Sequence, residues 1–288
     1  MALRINYNNA SLQAQRGLDA SEMVRQRASG QLSSGLRINQ AADDTAGMAV
    51  SEKLKNQVRG LNQAQRNVQD GISLLQTAEG GLTEIHSILA RMRELAVQGA
   101  NDTLVAGDRL NINAEFTQLK AEVTRIAEAV NFNGTKLLNA ASGTNLTLQV
   151  GSNSGATNQF TIALTNNIAG TTATVAGSND GLGLLDAAQA SVTTLALASS
   201  SITSLDAAIN QVTTNRANIG AMQNRLESAS RSIAVAAENT AAANSRVADA
   251  DIASAMSEMV RAQILQQAGI SVLAQANQAP SLVLQLLR

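Results

Sequence analysis

Apolar residues recur every three or four positions along most of this chain, the mark of helices that each bury one stripe. The first run holds Leu3, Tyr7, Ala10, Ala14, Leu18, Val24, Ala28 and Leu32. Gly30, Ser33, Ser34 and Gly35 interrupt it, and residues 36–47 read as a polar linker with a helix start near Asp43, Asp44 or Thr45. A long run follows. Val50, Leu54, Val58, Leu61, Ala64, Val68, Ile72, Leu75, Ala78, Leu82, Ile85, Leu89, Met92 and Ala96 advance at the coiled-coil period of about 3.5. Gly71, Gly80 and Gly81 each weaken a helix by about 1 kcal/mol relative to Ala, yet the register passes through them, so one helix is predicted. Residues 99–107 (GANDTLVAG) form a turn by composition, and Ile112, Phe116, Leu119, Val123, Ile126 and Val130 predict a second helix antiparallel to the first.

From Asn131 the period changes. Asn133-Gly134 signals a tight turn. Leu146, Leu148 and Val150 alternate with polar residues, as do Phe160, Ile162 and Leu164 with their neighbours, so two short strands should flank the loop GSNSGATN. Residues 165–183 lack periodicity and read as an exposed loop or weak strand. Helix returns near Leu184 and is clear from Ile202. Leu205, Val212, Ile219, Leu226, Ile233, Thr240 and Val247 lie seven apart, with Ile202 and Ile209 in the alternate seam position. Residues 248–250 make a small joint, and Asp249 or Asp251 caps a last helix.

That last segment, residues 249–288, carries a stripe of Ile252, Met256, Met259, Val260, Ile264, Ala268, Val272, Ala276, Ala279, Val283 and Leu286. The stripe broadens at its end, where Leu282, Val283, Leu284, Leu286 and Leu287 cover more than half of the helix circumference. Such a surface needs partners beyond one subunit. The two ends of the chain are expected to pair and to present a joint apolar face to other copies. Its subunit-interface residues are Leu3, Tyr7, Leu18, Val24, Ile264, Leu265, Val272, Leu273, Val283, Leu286 and Leu287.

The predicted fold is mainly α: an elongated antiparallel helical bundle or coiled coil built from the N- and C-terminal halves, with a small β-hairpin region mid-chain. Residues 1–42 with 249–288 form a terminal helical pair, and residues 43–248 a helical rod with the hairpin region around 131–183. The run from Val50 to Ala96 alone spans about 70 Å as helix, whereas a compact globule of this length has a radius of gyration of roughly 19 Å. A globule does not hold it.

Composition narrows the chemistry. Tyr7, Phe116, Phe132 and Phe160 are the aromatic residues and Trp is absent, so Ala, Leu, Ile and Val must fill the seams. With 21 basic and 22 acidic residues and no block of like charge, neither nucleic acid nor an anionic membrane surface is an expected partner. The absence of Cys excludes disulfides. The first residues show no apolar stretch with a cleavage pattern, and no run of 18 apolar residues occurs, so neither a Sec-type signal nor a membrane span is predicted. His86 is the sole histidine, which removes zinc sites, Cys-His pairs and His-based triads from consideration. Asp43-Asp44 and Asp249-x-Asp251 read as helix caps rather than metal ligands. Gly151-Ser-Asn-Ser-Gly155 lacks the spacing of a nucleophile elbow or phosphate loop. No enzyme activity, cofactor or metal is expected.

Residues 31–50 (QLSSGLRINQAADDTAGMAV), 70–79 (DGISLLQTAE), 91–98 (RMRELAVQ), 131–138 (NFNGTKLL), 215–226 (NRANIGAMQNRL) and 261–280 (RAQILQQAGISVLAQANQAP) resemble bacterial flagellin, in order and at both ends. The likeness covers about residues 1–140 and 185–288. It implies a subunit of the flagellar filament that is exported unfolded by the flagellar type III apparatus without a cleaved signal. It also implies polymerisation under a cap, with paired terminal helices lining an inner tube. The expected localisation is secreted, in the extracellular flagellum, and the expected work is swimming motility.

Residues 141–185 leave room for a hairpin but not for separate outer domains, so a short form with a smooth, thin filament is expected. The resemblance further implies an export chaperone on the C-terminal helix, contacts with cap and hook-filament junction proteins, and a candidate vertebrate innate immune receptor patch at Arg91, Leu95 and Glu115. Two alternatives remain: the hook-filament junction protein of the same superfamily, and a signalling coiled coil such as a chemoreceptor cytoplasmic hairpin. The RAQILQQAG run and the LVLQLLR ending favour flagellin over the first, and mid-chain strand signals count against the second.

Overall fold

Short polar side chains and glycines set the helix limits. Asn8 caps α1 (Asn9–Ser34) through its Oδ1, which accepts from the Ser11 N–H, and Gly35 closes it in the left-handed conformation at φ 71°. In the linker, Asp43 Oδ2 accepts from the N–H groups of Asn39 and Gln40, while Asp44 Oδ1 accepts from that of Gly47 to begin α2 (Thr45–Gly99). Then come α3 (Ala106–Ala129), the hairpin β1 (Asn131–Phe132) and β2 (Thr135–Lys136), the hairpin β3 (Asn145–Gln149) and β4 (Gln159–Ala163), α4 (Leu195–Ala248) and α5 (Ile252–Leu286). The computed structural model describes residues 8–139, 145–163 and 190–286, with side chains through residue 278. The expected loop at 165–183, Leu164 and the helical return near Leu184 lie outside these residues.

The fold is mainly α with small antiparallel strand pairs at mid-chain. It divides into two compact units, residues 1–58 with 238–288 and residues 59–237. These boundaries fall inside α2 and α4, whereas the sequence boundaries at 42/43 and 248/249 follow the breaks between helices.

In the unit of residues 59–237, α2 is the central element. Its contact with α3 is antiparallel, shown by Arg109 Nε donating to Gly99 O and by the Arg91–Glu115 pair at 3.0 Å. Its contact with α4 is also antiparallel: Arg93 meets Asp206, Gln223 donates to Glu79, and Gln65 donates to Ser230. Leu75, Leu82, Ile85, Leu89 and Met92 bury themselves among Phe116, Val123, Leu205, Val212 and Leu226. The seam of α4 differs from expectation in one respect. Its second buried position holds Ser201, Ala208 and Asn215, and Ile202 and Ile209 lie one residue further round, partly buried.

Asn133 at φ 49° and Gly134 at φ 80° make the two-residue turn joining β1 to β2, a second hairpin beside the expected one. In the larger hairpin Leu148 faces Phe160 and Leu146 faces Ile162. Both hairpins lean on glycines of α2. A Cβ at Gly71 would collide with the Leu148 side chain, and one at Gly81 would lie 2.7 Å from Val130 Cγ2 and 2.8 Å from Leu138 Cδ1. Gly80 has open space instead. Residues 190–194 are not helical, because hydroxyl and amide groups hold the backbone there. Ser191 N–H donates to Ser201 Oγ, which donates back to Ser191 O, and Asn113 Oδ1 receives the N–H of Val192. Thr194 Oγ1 then accepts from Leu197 N–H as the N-cap of α4.

The two adjacent glycines should therefore respond oppositely to alanine. Gly80→Ala is expected to stabilise by up to about 1 kcal/mol through helix propensity, and Gly81→Ala to destabilise by about 1–3 kcal/mol through overpacking. Urea unfolding followed by circular dichroism measures both.

Candidate functional site

The unit of residues 1–58 and 238–288 is built on α1 and α5. They run antiparallel, with Asn8 Nδ2 donating to Ala276 O at 2.7 Å and Gln266 Nε2 donating to Glu22 Oε2 at 3.0 Å. Where they join α2 and α4, Arg37 N–H donates to Ala248 O, Ala250 N–H donates to Gly35 O, and the Arg37 guanidinium donates to Val247 O. Nearby, Ser51 donates to Asn244.

The seam between α1 and α5 is made of small residues. Ser21, Ala28, Ala255 and Ala262 are the buried side chains of the pair among the described residues. Most large apolar residues lie outside it, with Leu18 and Leu273 half-buried at its edge. Among the described residues, ten on α1 and α5 exceed 40 % exposure, including Met23 at 65 %, Ile264 at 60 % and Leu265 at 55 %. Covering a half-exposed aliphatic side chain gains about 1 kcal/mol, so the set offers about 10 kcal/mol, the scale on which association costs about 4–15 kcal/mol. An open groove of about 750 Å³ runs along the pair, floored by Ala14, Gly17, Ala20 and Ala268 and rimmed by Leu265 and Val272. Beyond Arg261, α5 has no ionisable side chain through Leu286.

Of the residues marked from sequence, Val24, Ile264, Leu265 and Val272 are exposed, and Leu18 and Leu273 are half-buried, Leu18 resting beside Gly269. Leu3, Tyr7 and Leu287 lie outside the described residues, as do the side chains of Val283 and Leu286. In the other unit, Arg91 joins Glu115 and Glu94 at the surface. Leu95 departs from the expected patch. It is 2 % exposed, on the face of α2 that packs into the core, so its side chain is not part of the surface that Arg91 and Glu115 offer.

The electrostatic centre of the pair is Glu22. The Arg25 guanidinium donates to both its oxygens, Gln26 adds a third bond and Gln266 a fourth. These donors, Arg25 first, hold the carboxyl down at about 2 from its ordinary 4.5. Sequence reasoning passed over Glu22, because a charge on a polar helix face gives no signal of a partner far along the chain. Among the described residues there is no cluster of His, Asp and Glu able to hold a metal ion, and no helix long and apolar enough to cross a membrane.

The N-terminal helical region of bacterial flagellin matches residues 5–143, and the flagellin C-terminal helical region matches residues 202–287. The chain belongs to the flagellin family. It is 46 % identical to a flagellin of Halalkalibacterium halodurans over 99 % of both chains, and 42 % identical to a flagellin of Bacillus subtilis over 99 % of this chain and 100 % of that one. A putative flagellar hook-associated protein from Vibrio parahaemolyticus has a similar fold, with a TM-score of 0.58 at 17 % identity over 72 % of this chain and all of that one. Both exposed terminal helices of this family member fall inside matched regions.

Because its folded pKa lies below its unfolded one, Glu22 contributes stability that is present above about 4.5 and lost as pH falls through about 2. The labelled side-chain carbonyl carbon of Glu22 should titrate by NMR near 2, and Arg25→Gln should move that midpoint upward.

Proposed function

We infer that this chain is a structural subunit that self-assembles into the bacterial flagellar filament and serves swimming motility. The observation that carries this reading is the inverted packing of the terminal pair, with small residues inside and ten large apolar ones outside among the described residues. A monomer leaves that surface in water, and copies stacked on one another remove it. Full-length likeness to flagellins supports the filament subunit over the hook-filament junction protein, and the paired strands between α3 and α4 do not suit a signalling hairpin of helices alone. The family is structural, and we assign this member no catalysis.

The finer partners follow from the same surfaces. Leu18, Val24, Ile264, Leu265, Val272 and Leu273 would contact neighbouring copies, and Leu3, Tyr7, Val283, Leu286 and Leu287 would extend that contact. The apolar α5 would be held by an export chaperone before assembly, and the growing end would meet cap and junction proteins. Secretion to the extracellular flagellum follows from that role. For an innate immune receptor, the exposed Arg91–Glu115 pair is the part of the patch open to contact, with Leu95 supporting it from below.

Removal of residues 249–288 should leave a helical protein that forms no filaments in negative stain after seeding or salting out. Ile264→Asp should likewise stop growth while leaving helix content unchanged, and Ile264→Leu should preserve it. Filaments from either the truncated chain or Ile264→Asp would overturn the reading.

A further inference from the structure

The seam between α1 and α5 repeats itself. Ala14, Ser21 and Ala28 stand seven apart on α1, and Ala255, Ala262, Gly269 and Ala276 stand seven apart on α5. Sliding one helix along the other by seven residues sets these small side chains against small side chains again, so they do not choose between registers by themselves; Leu18, which rests on Gly269 here, would meet Ala262 or Ala276 instead. The joint at Leu36 and Asp249 anchors one end, but it is mostly backbone to backbone, and Leu36, Arg37 and Asp249 are not buried. Asn8 discriminates poorly too, since its acceptor is a main-chain carbonyl and every residue has one.

We propose that Glu22 fixes the register of the α1–α5 pair by requiring an amide donor on α5 at the place where Gln266 stands. Three of the four hydrogen bonds to its carboxylate come from Arg25 and Gln26 on its own helix, at 2.5–3.0 Å. The carboxylate is therefore aimed before α5 arrives, and Gln266 completes its shell. A slip of seven residues either way brings Met259 or Leu273 to that place. Neither side chain can donate a hydrogen bond to a carboxylate, so a slipped register leaves the shell of Glu22 one donor short. Glu22 is thus a positioning residue: it lets a seam of small residues, which fits in several ways, settle in one. The register decides which of the outer apolar residues line up on the two helices. Its consequence for filaments rests on the proposed function, while the register itself does not.

The chain has no Cys, so introduced thiols can be read directly. Leu18 Cδ1 lies 3.3 Å from where a Cβ on Gly269 would be, so L18C/G269C reports the register seen here, and S11C/G269C reports one displaced by seven. Each pair is treated with a short bifunctional thiol reagent in the full-length chain, both dilute and after polymerisation is induced, and intramolecular product is measured. The parent should favour the first pair. Glu22→Ala should lower that preference about tenfold or more although Ala is the better helix former, and Gln266→Met should do the same with helix content unchanged. Glu22→Gln, which keeps an acceptor, should restore part of it. A parent with no preference in either state would sink the proposal, and so would Glu22→Ala retaining the full preference, which would assign the register to the joint. Failure of the parent to form filaments would count against the assembly reading alone, since the dilute chain still decides the role of Glu22.

Discussion

The contact between α1 and α5 is made by side chains too small to satisfy either helix. Alanine and serine let the two backbones approach closely, but they bury little area each, so the pair keeps the greater part of its apolar surface turned outward. The terminal unit is coherent in its hydrogen bonds and incomplete in its hydrophobic burial. That combination suits a component whose last packing step takes place between molecules, and it is the condition on which the functional reading of the flagellin termini stands.

The other unit has the opposite economy of residues. Leu, Ile, Val, Met and Phe fill most of its interior, and Gly71 and Gly81 stand where another element comes close. Gly71 admits Leu148 and Gly81 admits Val130 and Leu138, which lets both hairpins lie against a continuous helix. Arg225 stacks its guanidinium 4.7 Å from the ring centre of Phe160 and covers that ring on the hairpin. Helix α2 thus tolerates Gly71 and Gly81 because the elements packed on them return the lost propensity as burial, a return that Gly80 does not receive.

Much of this was legible in the residues themselves. The stripe from Leu61 to Ala96 is buried almost throughout, and its persistence across three glycines identified one helix correctly. Periodicity reports which face of a helix is apolar, and it failed where the buried residue is small or polar. Ser201 and Asn215 carry no apolar signal and Ala208 a weak one, so Ile202 and Ile209 drew the seam one position too far round. Residues 190–194, which the sequence reads as helical, are held out of helix by hydrogen bonds among Ser191, Asn113 and Ser201 that span the sequence and leave no mark in local periodicity. Resemblance placed Leu95 in a surface patch, and neither it nor spacing could show how deeply the side chain is buried. In the candidate assembly surface, the apolar stripe of α5 was visible from the outset, while the role of Gln266 opposite Glu22 needed three dimensions.

The uncharged stretch of α5 bears on where such a protein can work. From Ala262 to Leu286 every polar group is an amide or a hydroxyl, and none of these gains or loses a proton in natural waters. Counter-ions neither screen nor strengthen contacts made by such a helix to any great extent. Cohesion along it should hold alike in fresh and brackish surroundings, a tolerance of the medium that an ion-paired seam would lack.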